Sequence, residues 1–238
     1  MSTLGGFRHE RVVVGIAALA MAVCVACNGP GEPEQPANAI DEAKLLTQEA
    51  FPPGYSVRPN NETSQDKARS LSELVTGQES DNPACVQATS DQVPVVAASE
   101  RVGIVAVAPE RPHDERYSES LVIDGPTLDD QRALAETCRE TTTEVPGVGK
   151  AIETYGVLPA PPEVIAEDSV VIVIDVTTDP LPASGEIPSR RQTVVGYAQV
   201  GSLQVEFYQE VDGFQATPDF QEFNALFAEA VRRVSDVA

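Results

Sequence analysis

Two cysteines three positions apart, Cys24 and Cys27, have the spacing of a redox dithiol or of half a zinc site. A redox pair of this kind sits where a helix begins after a strand, so that the helix field lowers the pKa of one thiol. A zinc half-site needs a second ligand pair downstream. Neither context surrounds these cysteines: Cys24 lies inside an uncharged, mostly apolar run from Val12 to Ala26, and Cys27 ends it. The other residues capable of chemistry are scattered. His113 is the one histidine beyond the start of the chain, in the charged stretch Pro109 to Arg116, and no G-x-S-x-G elbow accompanies it as a nucleophile. Gly147-Val148-Gly149-Lys150 hints at a phosphate loop, but Glu144 and Ala151 stand where the pattern requires Gly and Ser or Thr. Asp129, Asp130 and Asp179 lie near turns without calcium-loop spacing. Asn61-Glu62-Thr63 is a sequon, and Arg190-Arg191 reads as a solvated pair in a loop. The sequence therefore offers no catalytic constellation, no metal site and no cofactor motif, and the expectation is a protein that is not an enzyme.

The Cys24–Cys27 stretch makes sense as an address. Arg8 and Arg11 precede an apolar run of fifteen residues. That is too short to span a bilayer, which takes roughly twenty, and suits the apolar region of a secretory signal. Cys24-Val25-Ala26-Cys27 resembles a bacterial lipobox, with Ala26 before the cut and Cys27 as the lipidated residue. Cys24 stands where Leu is usual; taking Cys24 itself as acceptor would place Val23 before the cut, and plain secretion is the other alternative. Residues 1–26 are then a lipoprotein signal peptide. Residues 27–39, rich in Pro, Gly and Glu, are a tether able to hold a domain up to about 30–35 Å from the membrane. Residues 40–238 form a single extracytoplasmic domain, lipid-anchored to the cell membrane through Cys27.

Composition narrows the partners. The chain of 238 residues has 37 acidic and 16 basic residues, net −21, and signal removal alters this by one charge. Such a surface repels nucleic acid and anionic membrane. With no Trp and 5% aromatics, a sugar-binding platform is disfavoured. Beyond the signal and Cys27, the only cysteines are Cys85 and Cys138. In an exported protein such a pair reads as a disulfide, closing a loop of about 50 residues worth about 4 kcal/mol of chain entropy.

The elements follow from periodicity. Ile40 to Ala50 reads as a short helix stopped by Pro52-Pro53-Gly54, then a strand from Tyr55 to Arg58. Lys67 to Thr76 is a helix closed by Gly77, and Cys85 follows in a loop. Val102–Ala108 and Arg116–Ile123 are strands. Thr127 and Asp130 cap a helix running to about Arg139, with Cys138 in line with Leu134 on its inner face. Val145–Asp168 reads as a long loop, Ser169–Thr177 as the strongest strand and Leu181–Arg191 as another loop. Gln192–Val200 and Leu203–Glu210 flank Gly201-Ser202, a type II′ hairpin signature, and Gln204, Glu206 and Tyr208 form the wet face of the second arm. The closing helix has Thr217 as cap, Pro218 at its first position, and Phe220, Phe223, Phe227, Ala230, Val231 and Val234 as its buried stripe. The class is α+β: one mostly antiparallel twisted sheet packed by helices on one face, with one disulfide.

This order of elements, with the segment Phe51-Pro52-Pro53-Gly54-Tyr55, the Pro83-Ala84-Cys85 motif and Cys138 in a helix, resembles a family of actinobacterial, largely mycobacterial, exported lipoproteins of unknown function. It is also similar in layout to the extracellular sensor domain of a mycobacterial receptor serine/threonine kinase. The resemblance spans roughly Ile40 to Ala238. It implies a fold and an extracytoplasmic location, and no reaction. Those sensor domains carry two disulfides and a polar cleft; this chain has cysteines for one bridge. The expected function is a membrane-anchored module that binds or senses an unidentified small molecule, at a site between the sheet and the loops Val145–Asp168 and Leu181–Arg191. The alternative is a structural lipoprotein that docks an envelope protein.

Overall fold

The computed structural model describes residues 40–76, 79–108, 115–145, 149–181, 187–214 and 216–236. Nine strands form one antiparallel sheet: β1 (Ser56–Pro59), β2 (Glu79–Ser80), β3 (Glu100–Val107), β4 (Glu115–Ile123), β5 (Glu140–Val145), β6 (Gly149–Leu158), β7 (Asp168–Pro180), β8 (Ser189–Val200) and β9 (Leu203–Asp212), in the order β1-β3-β4-β9-β8-β7-β6-β5-β2. Among the described residues four α-helices accompany it: α1 (Ser64–Val75), α2 (Pro83–Ala98), α3 (Leu128–Thr137) and α4 (Phe220–Ser235).

The α+β class, the antiparallel sheet and the Cys85–Cys138 disulfide are as the sequence predicts. The covering differs, because helices lie on both faces. Along β8 successive side chains point to opposite sides. Val194 packs with Phe223, Phe227 and Val231 of α4, while Val195 packs with Leu128 and Ala135 of α3. On the α4 face Gly196 makes room for the Phe227 ring, which would lie 2.7 Å from an added Cβ.

Local chemistry accounts for the elements that were legible. Thr63 with Asp66, and Thr127 with Asp130, form reciprocal capping boxes on α1 and α3. Gly201 has φ of +58° and alone in its two-residue turn is left-handed, so Val200 pairs with Leu203 as a type II′ hairpin requires.

Several expectations are corrected. Residues 40–50 form two 3₁₀ turns, Glu42–Lys44 and Gln48–Ala50, instead of a helix. Leu45 and Leu46 are both buried between them, and the Leu46 N–H donates to the Glu119 carboxylate rather than to a helical carbonyl. Cys85 lies in the first turn of α2, not in a loop. Asn82 caps that helix and Pro83 takes its first position. Pro94, whose ring nitrogen cannot donate to the turn before, and the many β-branched residues hide α2 in the sequence. The Val145–Asp168 loop contains the ten-residue strand β6. Arg190 and Arg191 lie on β8, bonded to Asp175 and Asp212, so they are not a loop pair. Asp219, not Thr217, caps α4, accepting from the backbone N–H groups of Gln221 and Glu222, and Phe220 is 41% exposed, outside the buried stripe. Gly77 lies outside the described residues.

Candidate binding cavity

The helices α1, α2 and α3 do not press flat on the sheet. They roof a cavity of about 310 Å³ whose lining is mostly apolar. Leu71 and Val75 come from α1, Val86 and Thr89 from α2, and Leu134 and Ala135 from α3. The floor is one face of β6 to β9, contributing Glu153 and Tyr155, Ile172 and Ile174, Val195 and Tyr197, and Glu206 and Tyr208. Cys85 lines the cavity beside its bridge to Cys138, so the disulfide ties α2 to the end of α3 at the cavity wall.

One end of the floor is a closed ionic cluster. Glu206 Oε2 accepts from Lys67 Nζ at 2.9 Å, from Arg101 at 3.1 Å and from the Tyr208 hydroxyl at 3.3 Å. Lys67 also donates to the Tyr208 hydroxyl at 3.0 Å, and the Tyr197 and Tyr208 hydroxyls are 3.5 Å apart. The Arg101 and Glu206 side chains are only 5% and 3% exposed. Burial works to raise the Glu206 carboxyl, but Lys67 and Arg101 together outweigh it and hold it below the usual glutamate value. The sequence reading of Glu206 as wet is therefore corrected: α1 and Arg101 cover it. Tyr208 is half-buried with it.

The other end is different. Glu153 on β6 accepts from the Tyr155 hydroxyl at 3.3 Å. Burial pushes its carboxyl up, and the Tyr155 bond offsets only part of that. The phenol of Tyr155 is itself pushed up, by burial first and by Glu153 second.

The residues singled out from sequence lie elsewhere, except Cys85. Cys27 and His113 are outside the described residues, as are Gly147 and Val148. Lys150 pairs with Glu144 at the start of β6. Asp130 is a helix cap, Asp129 pairs with Arg132, and Asp179 faces Lys150 across the β6–β7 ladder. Thr63 of the sequon caps α1. The cavity lies on the side of the sheet covered by α1, α2 and α3, whereas the sequence placed its expected site between the sheet and the two long loops. Lys67, Arg101, Glu153, Glu206 and the three tyrosines carried no local signal, because they come from five separate elements. The one available hint was the unusual pairing of Glu206 with Tyr208 on a single strand face.

No family model matches the chain, and no curated protein matches it. Among solved structures it is similar to the extracellular domain of PknH from Mycobacterium tuberculosis, with 16% identity and a TM-score of 0.44, covering 82% of this chain and 94% of that one. It is likewise similar to an uncharacterized protein, the Rv0999 ortholog, from Mycobacterium smegmatis, with 13% identity and a TM-score of 0.44, covering 79% of this chain and 92% of that one. Among the described residues no helix is long and apolar enough to cross a membrane.

Proposed function

We propose that this protein is an exported, lipid-anchored module of the cell envelope that binds a small molecule without transforming it. The observation that carries this reading is the cavity itself: a recess of about 310 Å³, largely apolar, with a few polar groups at its two ends. That combination is what small-molecule sites share. Lys67, Arg101 and Glu206 are spent on one another, which suits a fixed wall better than a reacting group. A disulfide at the cavity wall fits an oxidising, extracytoplasmic compartment. The anchor is Cys27, and Cys27→Ser is expected to move the protein from the detergent phase to the aqueous phase; equal partitioning of the two proteins would remove the anchor from the reading.

The binding test is a thermal-shift screen of the disulfide-bonded protein against apolar and amphiphilic small molecules. Any hit should lose its effect in Leu134→Trp, which fills the recess, while circular dichroism stays unchanged. Hits that survive Leu134→Trp would place binding elsewhere. A second reading, a docking lipoprotein, is favoured by the groove on the outer side of α4, where Ile165 is 81% and Phe220 41% exposed. In that case Ile165→Asp should abolish retention of an envelope partner and leave small-molecule shifts intact.

A further inference from the structure

We propose that the cavity takes an organic cation, an amine with an apolar body, whose ammonium sits on the Glu153 carboxylate against the Tyr155 ring. This rests on the binding reading above and specifies the chemistry of the ligand.

The two acidic groups on the floor differ in what surrounds them. Glu206 has two cations and a phenol. Among the described residues, Glu153 has a phenol only. No charged group is among the causes that shift its carboxyl. Thr141 of β5 and Val176 of β7 lie opposite it in the ladders, and the helices line the same cavity with the uncharged Leu134 and Ala135 of α3 and Val86 and Thr89 of α2. Tyr155 is its one titratable neighbour, with Tyr197 next beyond. A carboxylate held in an apolar recess without a cation is costly, and a bound cation relieves that cost. Tyr155, which lines the cavity and is bonded to Glu153, carries an aromatic ring of the kind that organic ammonium groups favour.

The far end of the cavity sets the orientation. Lys67 and Arg101 exceed Glu206 by one positive charge, and β9 lies three strands from β6. At about 4.8 Å per strand the two ends lie about 14 Å apart across the sheet, and the register, which sets Glu153 level with Asp212 rather than Glu206, adds roughly 20 Å along the strands. A ligand ammonium is therefore repelled from the Lys67 end and drawn to Glu153, leaving the apolar body over Ile172, Ile174 and Val195. The net charge of −21 further raises the concentration of cations near the surface. No bond is made. When Glu153 carries a proton, that proton must leave as the ammonium enters, so binding of the amine weakens as the pH falls through the raised carboxyl value.

The experiment is titration calorimetry of the disulfide-bonded protein with octylamine, octanol and octanoate, all below their micellar concentrations, at about pH 7.5 and at about pH 4, the latter below the ordinary glutamate value so that a raised carboxyl is mostly protonated. Octylamine should bind roughly tenfold or more tightly than octanol at the higher pH, a difference of about 1.4 kcal/mol, and lose that advantage at the lower pH. Glu153→Gln should erase the preference while leaving octanol unaffected. Glu153→Ala gives the same reading should the amide perturb folding. If octanol or octanoate binds as tightly as octylamine, or if octylamine is indifferent to both substitutions, the amine assignment is wrong. The cavity reading then still stands, provided Leu134→Trp abolishes binding of all three. If none of the three binds, the amine assignment also falls, and the broader solute screen decides the cavity reading separately.

Discussion

Glu119 of β4, fully buried, accepts the backbone N–H of Leu46 at 2.8 Å and so fastens the segment ahead of Phe51 to the middle of the sheet. Ile104 and Phe207 lie opposite it in the ladders, and Tyr117 and Leu121 flank it on its own strand face. Burial pushes its carboxyl up to about 7; the Leu46 bond and the more distant charge of Arg233 on α4 pull it down less.

The sign of the pH effect follows. A carboxyl whose folded pKa exceeds its unfolded value binds more protons in the folded state, so stability falls as the pH rises from about 4.3, the unfolded value, through about 7. Glu119→Gln keeps an acceptor for Leu46 and removes the charge. It is expected to be more stable than the native protein at about pH 8, by up to about 3 kcal/mol, and nearly equal to it at about pH 4.5. Denaturant titrations of both proteins across this range check it; a constant difference at all pH values would contradict it.

Glu206 behaves in the opposite sense. Its folded pKa is depressed, so its contribution is present above the unfolded carboxyl value and lost as the pH falls through the folded one. Glu206→Gln leaves Lys67 and Arg101 partly buried without their counter-charge and should cost roughly 3–5 kcal/mol. Adding Lys67→Met should recover part of the loss. A double-mutant cycle by urea denaturation measures this, and strict additivity would mean the two side chains are not coupled.

Reducing the Cys85–Cys138 bridge, or replacing both residues by Ser, is expected to lower stability by roughly 2–5 kcal/mol. Because Cys85 lines the cavity, any ligand-induced thermal shift should shrink along with it. Urea curves with and without reductant, and mass spectrometry without it, report both states. Two free, alkylatable thiols in the native protein would refute the pairing.

Asp219→Ala should destabilise α4 by about 1 kcal/mol, since two backbone donors lose their acceptor. Thr217→Ala should have little effect. The reverse result would restore Thr217 as the cap.

Much of the fold was written locally. Thr127 and Asp130 announce α3, Gly201-Ser202 the β8–β9 hairpin, and Phe223, Phe227, Ala230, Val231 and Val234 the inner face of α4. Each signal lies within a few residues of the feature it sets, because caps, turns and helical stripes depend on near neighbours. The failures have equally physical causes. β6 alternates Glu153 and Tyr155 with Thr154 and Gly156, so its inward face is as polar as its outward one, and α2 is masked by Pro94 and β-branched residues.

From sequence alone came the available cysteine pair, the capped helices, the hairpin and the strand runs. Tertiary structure alone decided which polar residues would be dry. Gln204, Glu206 and Tyr208 share one face of β9, a pattern that suits water or a covered cavity equally well. Glu206 is buried because α1 lays Lys67 over it and β3 brings Arg101, from 139 and 105 positions away in the chain. Desolvation and charge pairing are properties of what lies above a residue in space, and no run of neighbouring letters encodes that.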